Sequence, residues 1–118
     1  MNMHESQVIV SFFPKRHEHF GPTIIPVTIK ELHKYCAPLD IRSFGEGKDD
    51  KYVLDHAFNH WNYVGVEYMQ APDEINARAS ILKCHVSATA GDVFSISDDK
   101  STRWYHCDNI GWSLIEMS

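Results

Sequence analysis

Residues 91–117 read GDVFSISDDKSTRWYHCDNIGWSLIEM, and this stretch decides the fold. Val93 to Ser97 and Thr102 to Cys107 are rich in β-branched and aromatic residues, and Asp98-Asp99-Lys100-Ser101 separates them. Asp108-Asn109-Ile110-Gly111 forms a second polar turn before a last run from Trp112 to Met117. Short runs at this spacing predict an antiparallel β-meander. The two-residue period places Phe94 with Ile96, Tyr105 with Cys107, and Trp112 with Leu114 on single faces of their strands.

Upstream, Ala90-Gly91-Asp92 predicts a turn and Ile81 to Val86 a further strand. Residues 7–13 (QVIVSFF) predict a first strand that Pro14 ends. Residues 15–22 form a polar connection, and 23–27 an extended stretch with Pro26 at an edge. Thr28-Ile29-Lys30-Glu31 has the form of a capping box. It opens a helix over 28–36 with Ile29, Leu32 and Cys36 on one face, bounded by Pro38. Residues 43–50 read as a loop. Asp49 or Asp50 then caps a second helix from about Lys51 to Asn62, striped by Leu54, Phe58 and Trp61. Between 63 and 80 two readings stand: a short strand over Tyr63 to Tyr68, and a helical turn from Pro72. The sum is one α+β domain over 1–118. An antiparallel sheet of about five strands, with the C-terminal β-meander, packs against two helices.

The composition bounds the class. With 43% hydrophobic and 23% charged residues in 118, the chain belongs with globular domains and not with disordered ones. No run approaches the roughly 18 apolar residues of a membrane span, and Val8 to Phe13 is too short for a secretory core. A cytoplasmic protein starting at Met1 is expected, with no membrane partner. Cys36, Cys84 and Cys107 cannot all pair within one chain and form no C-x-x-C, so reduced, buried thiols are expected. A formal net charge of -5 disfavours a general phosphate-backbone binder and suits a basic protein partner.

One pattern in the C-terminal third is familiar. Ser87-Ala88-Thr89-Ala90-Gly91-Asp92-Val93, a hairpin, and then Trp104-Tyr105-His106-Cys107-Asp108-Asn109-Ile110-Gly111-Trp112 together resemble the "SVGDV…CDxxGW" signature. That signature belongs to YodL-like and related small domains of plasmid, integrative-element and phage proteins. The resemblance covers residues 51–117, including the preceding helix His56 to Asn62, and departs at Ala88-Thr89-Ala90. It implies an accessory protein of a mobile genetic element, of a kind suspected of acting against host defence. It supplies no catalytic residue. Gly91, Asp92, Val93, Cys107, Asp108, Gly111 and Trp112 read as its structural signature: Gly91 and Gly111 for turns, Asp92 for bonds to backbone amides.

Three chemistries could rest on particular residues. His56 and His60 stand one helical turn apart, as a metal pair would, with Cys84, His85, His106 or Cys107 as a third ligand. Ala57 follows His56, so the H-E-x-x-H base is missing and no metal is assigned. Lys15, Arg16, His17 and His19, with Phe20 to stack, form the basic cluster for nucleic acid, although a solvated loop is the plainer reading. Neither Cys107 beside His106 nor Asp55 beside His56 makes a catalytic dyad, because chain neighbours diverge. Trp61, Trp104 and Trp112 are expected in the core, and any of them left exposed, with Trp104 the named candidate, would be a binding anchor. The expectation is a non-enzymatic binding protein without cofactor, whose partner is a host or element-encoded protein. Nucleic-acid binding through Arg16, His17 and His19, and a metal site on His56 and His60, are the alternatives.

Overall fold

The computed structural model describes residues 7–19, 24–45, 49–63 and 71–118. The strands are β1 (Val8–Phe13), β2 (Asp40–Phe44), β3 (Val93–Ser97), β4 (Thr102–Cys107) and β5 (Trp112–Ile115). The α-helices are α1 (Ile29–Tyr35), α2 (Asp50–Trp61) and α3 (Asp73–Leu82). The strands form one antiparallel sheet in the order β2-β1-β3-β4-β5. The fold is α+β with a C-terminal meander, as the strand spacing predicts. No helix among the described residues is long and apolar enough to cross a membrane.

Alternation divides the sheet into two faces. Val10, Phe12, Phe94, Ile96 and Cys107 pack against Leu54, Ala57 and Trp61 of α2 and Ile75 and Ala79 of α3. Phe13, Val93 and Ile115 turn the other way, onto Leu32 of α1 and Cys36. Four rings run through the first layer. Trp61 and Phe94 stack on Phe12 at 5.1 and 5.0 Å, and Trp112 meets Phe94 edge-on at 5.0 Å.

The caps stand where the sequence puts them. Thr28 Oγ1 accepts from the Glu31 amide at 3.0 Å, and Asp49 Oδ1 accepts from the Tyr52 amide at 2.9 Å. The Glu31 carboxylate reaches back one residue further than a standard capping box, to the Val27 amide at 3.0 Å.

Several expectations are corrected. The described residues form three α-helices, not two. Pro72 leads into α3, Asp73 and Glu74 complement its first turn, and Ile75 and Ala79 bury one face. The strand expected over Ile81 to Val86 does not form. Ile81 and Leu82 close α3, Lys83 turns left-handed at φ 59°, and Cys84 makes a lone bridge to Arg16. Asp40–Phe44, read partly as a loop, is edge strand β2, held by pairing with β1 and not by its own burial. Ile24 to Val27 are not in a strand, and Pro26 is buried. The last strand stops at Ile115. Phe20, and the strand reading over Tyr63 to Tyr68 beyond Tyr63, lie outside the described residues.

Candidate functional site

The two stretches around Gly91-Asp92 and Cys107 to Trp112 are neighbours in the sheet. The Gly91 amide donates to Cys107 O at 2.7 Å, the Cys107 amide donates to Asp92 O at 2.8 Å, and Cys107 faces Trp112 across β4 and β5. The first stretch is structural. Asp92 has no exposed surface, and its carboxylate accepts from the amides of Lys15 and Thr89, both at 2.9 Å. His85 Nε2 lies 2.9 and 3.0 Å from the two carboxylate oxygens. Burial nonetheless raises the Asp92 pKa, outweighing the lowering by His85 and the amides. Gly91, at φ +98°, leaves room for the Lys15 side chain, which passes within 2.8 Å of where a Cβ would stand.

The other stretch lines a surface. Trp112 is half-buried between two recesses on the α2 side of the sheet. One, of about 420 Å³, is bounded by Asp55, Phe58, Asn59, Asp108, Asn109 and Trp112. The second, of about 450 Å³, is bounded by Asp49, Asp50, Lys51, Leu54, Tyr105 and Trp112. The Trp112 indole N–H donates to Asp55 Oδ1 at 3.0 Å, and Phe94 and Phe58 meet its ring edge-on. Its orientation is therefore set from both ends.

Hydrogen bonds favour the ionised form of three of the lining carboxylates. Lys51 and the Trp112 indole lower the pKa of Asp55. Ser113 and His106 lower that of Asp108, each bonding one of its oxygens. Asp50 takes a bidentate fork from Arg103 at 2.7 and 2.9 Å and the Tyr105 hydroxyl at 2.5 Å, and its pKa is lowered too. Ile110, between the lining residues Asn109 and Gly111, and Leu114, paired across the strands with the lining residue Tyr105, are 93% and 61% exposed.

The basic cluster is not a solvated loop. Lys15 is buried, and Arg16 donates from Nε to His33 O at 3.0 Å and from Nη1 to Leu82 O at 2.7 Å. Those two residues tie α1 and α3 to the end of β1. His17 is exposed in a short 3₁₀ turn, and the His19 ring stands edge-on to Tyr35 at 4.9 Å. Trp104 is half-buried against Phe13, on the opposite face from Trp112. Trp61 alone of the three tryptophans is fully buried.

His56 is exposed and lies against Tyr52. His60 is half-buried, edge-on to Phe44 and Trp61. Arg42 Nη1 stands 3.3 Å from His60 Nε2, and a guanidinium only donates, so Nε2 is an acceptor and the ring neutral. Burial and Arg42 both lower the His60 pKa. Among the described residues no group of three or more His, Cys, Asp or Glu is placed to hold a metal ion. All three cysteines are free and buried.

A serine, a histidine and an aspartate do converge at the β4–β5 turn. His106 Nδ1 meets Asp108 Oδ1 at 2.7 Å, and Ser113 donates to Asp108 Oδ2. In a hydrolytic triad the serine would bond the histidine's far nitrogen. Here the hydroxyl is committed to the carboxylate, and buried His106 Nε2 has no partner among the described residues. The trio braces the turn.

Cys107, Asp108, Gly111 and Trp112 read as structural in the sequence, Asp50 as part of an acidic loop run open to a basic partner, and Asp55, Asn59 and Tyr105 gave no sign of lining a surface. The missed signal is α2's second stripe, Lys51, Asp55 and Asn59, at helical spacing beside the apolar one. No protein-family model matches the chain, and no curated protein or solved structure matches it.

Proposed function

We propose that this chain is a small non-enzymatic binding protein that acts by protein–protein contact through the face around Trp112. The observation carrying the reading is that face itself. A fixed tryptophan stands between two recesses, with ionised carboxylates around it and exposed Ile110 and Leu114 beside it. Interface centres favour tryptophan and tyrosine, surrounded by polar groups that exclude water. The resemblance to YodL-like modules supports a role in a mobile genetic element, with a host or element-encoded protein as the partner. Lys15 and Arg16, occupied within the fold, favour no nucleic-acid site.

The test is affinity capture from a bacterial host lysate at moderate salt, with tagged wild type beside Ile110→Asp and Leu114→Asp. Both positions are exposed, so neither change disturbs the core. The wild type is expected to retain one stoichiometric protein complex and both variants to lose it. Retention of nothing by the wild type, or equal retention by all three, overturns the reading.

A further inference from the structure

We infer that the face around Trp112 receives an arginine-bearing extended segment of a protein partner, with a guanidinium laid over the Trp112 ring and bonded to the carboxylates beside it. This rests on the protein-binding reading above and names the chemistry of the occupant.

Charge complementarity is the first argument. Asp49, Asp50, Asp55 and Asp108 line the recesses against one lining cation, Lys51, while Arg103 pairs with Asp50 and with Asp98 outside the lining. The face is net negative, and an anionic or phosphate-bearing ligand would be repelled. Lys51 is committed to Asp55 at 2.9 Å and Arg103 to Asp50 and Asp98, so neither neutralises Asp108.

Ring geometry is the second. The indole N–H points into Asp55, leaving a half-buried ring as a shared wall between the recesses. A cation over such a ring gains from the quadrupole, and a guanidinium gains stacking as well. Each recess falls within the roughly 300–1,000 Å³ of ordinary ligand pockets, and both are open to the surface, as a side chain entering from a partner requires. Asn59 and Asn109, both exposed, supply amide oxygens beside the carboxylates.

Apolar flanks are the third. Ile110 and Leu114 are exposed at one edge of the site. A free cation such as a polyamine would leave them in water, whereas a polypeptide would cover them. Strand β5 pairs with β4 only among the described strands, with the chain just beyond it bonded to Val27 at Ser118, so a segment could run alongside its outer edge near Trp112.

The probes are three blocked peptides, acetyl-GRGRG-amide, acetyl-GKGKG-amide and acetyl-GEGEG-amide, titrated into ¹⁵N-labelled full-length protein at low and high salt. The arginine peptide is expected to shift the Trp112 indole N–H and the Asn59 and Asn109 side-chain amides. Affinity should exceed that of the lysine peptide severalfold and fall with salt, and the glutamate peptide should do nothing. Asn59→Lys, at an exposed position, is expected to weaken arginine-peptide binding about tenfold with the spectrum otherwise preserved. Shifts confined to other surfaces, equal affinity for lysine, or indifference to Asn59→Lys each overturn the assignment. Failure here with capture still sensitive to Ile110→Asp removes the arginine occupant and leaves the binding reading standing. A peptide result as expected, with nothing captured from lysate, removes the binding reading instead.

Discussion

His85 Nε2 lies within 3.0 Å of both carboxylate oxygens of Asp92, inside a carboxylate that has no exposed surface. Two backbone amides, of Lys15 and Thr89, depend on the same group. Asp92→Ala would leave both amides without their acceptor and take the carboxylate away from His85 Nε2. A loss of about 2–6 kcal/mol is expected in urea unfolding, because each buried donor left unsatisfied costs about 1–3 kcal/mol.

The same pair makes a prediction about pH. Burial raises the folded-state pKa of Asp92 above the ordinary 3.8, against the lowering by His85 and the amides. A raised carboxylate binds its proton more tightly folded than unfolded. Its contribution is complete below about pH 3.8 and is lost as pH rises through the folded pKa. The stability difference between wild type and Asp92→Asn should therefore be largest in acid and decline upward from there. Urea melts at several pH values decide it. A difference that grows with pH would mean that His85, and not desolvation, controls the group.

How much of this was legible beforehand follows from what each residue advertises. The meander over residues 93–115 and the caps at Thr28 and Asp49 are local patterns, and they stand almost where alternation and side-chain chemistry put them. Asp40–Phe44 carries no such pattern, because an edge strand owes its form to its neighbour, and only pairing with β1 makes it a strand. Lys83 hides the end of α3, since a lysine gives no sign that it will turn left-handed. The Trp112 face depended on α2 crossing β4 and β5. Asp50 meets Arg103 and Tyr105, and Asp55 meets Trp112, across more than fifty residues of chain, a relation no spacing reveals.

Gly91 and Gly111 separate backbone cost from crowding. Both have positive φ, +98° and +82°, where a side chain costs about 1–2 kcal/mol. A Cβ at Gly111 meets nothing within 4 Å, while one at Gly91 would stand 2.8 Å from Lys15 Cε and 2.9 Å from its Nζ. Gly91→Ala is expected to cost more than Gly111→Ala in thermal unfolding. Truncating Lys15 to Ala should make the Gly91→Ala penalty comparable with that at Gly111. Equal penalties in the parent protein would show that Lys15 yields freely.

Arg103 ties three elements together: its own strand β4, Asp50 at the start of α2, and Asp98 in the β3–β4 turn. It lowers the pKa of Asp50, and two turn amides with Arg103 hold Asp98 at about 2. For depressed carboxylates the stability is present above the unfolded value of 3.8 and is lost as pH falls through the folded pKa. Arg103→Ala should therefore move acid unfolding, followed by circular dichroism, to higher pH. Arg103→Lys should recover part of the shift, because an ammonium cannot reproduce the fork on Asp50. An unchanged acid midpoint in Arg103→Ala would mean that the network adds nothing to the fold.

The cysteines give the last test, and it reports on the Trp112 face as well. Burial pushes Cys36 and Cys107 up to about 12 and Cys84 to about 11, so almost no thiolate exists near neutrality. At pH 8 a disulfide reagent is expected to find no fast thiol in the folded protein and all three after urea. Cys107 alone of the three borders a recess at Trp112, where its Sγ sits 3.7 Å from Asp108 O. Slow labelling should therefore reach Cys107 first, as mass spectrometry of the digested protein would show, and the arginine peptide should slow it further. Fast modification of Cys36 would show that the layer between α1 and the sheet opens readily, and fast modification of Cys84 that the layer under α2 and α3 does. Labelling of Cys107 that ignores the peptide would place the peptide elsewhere.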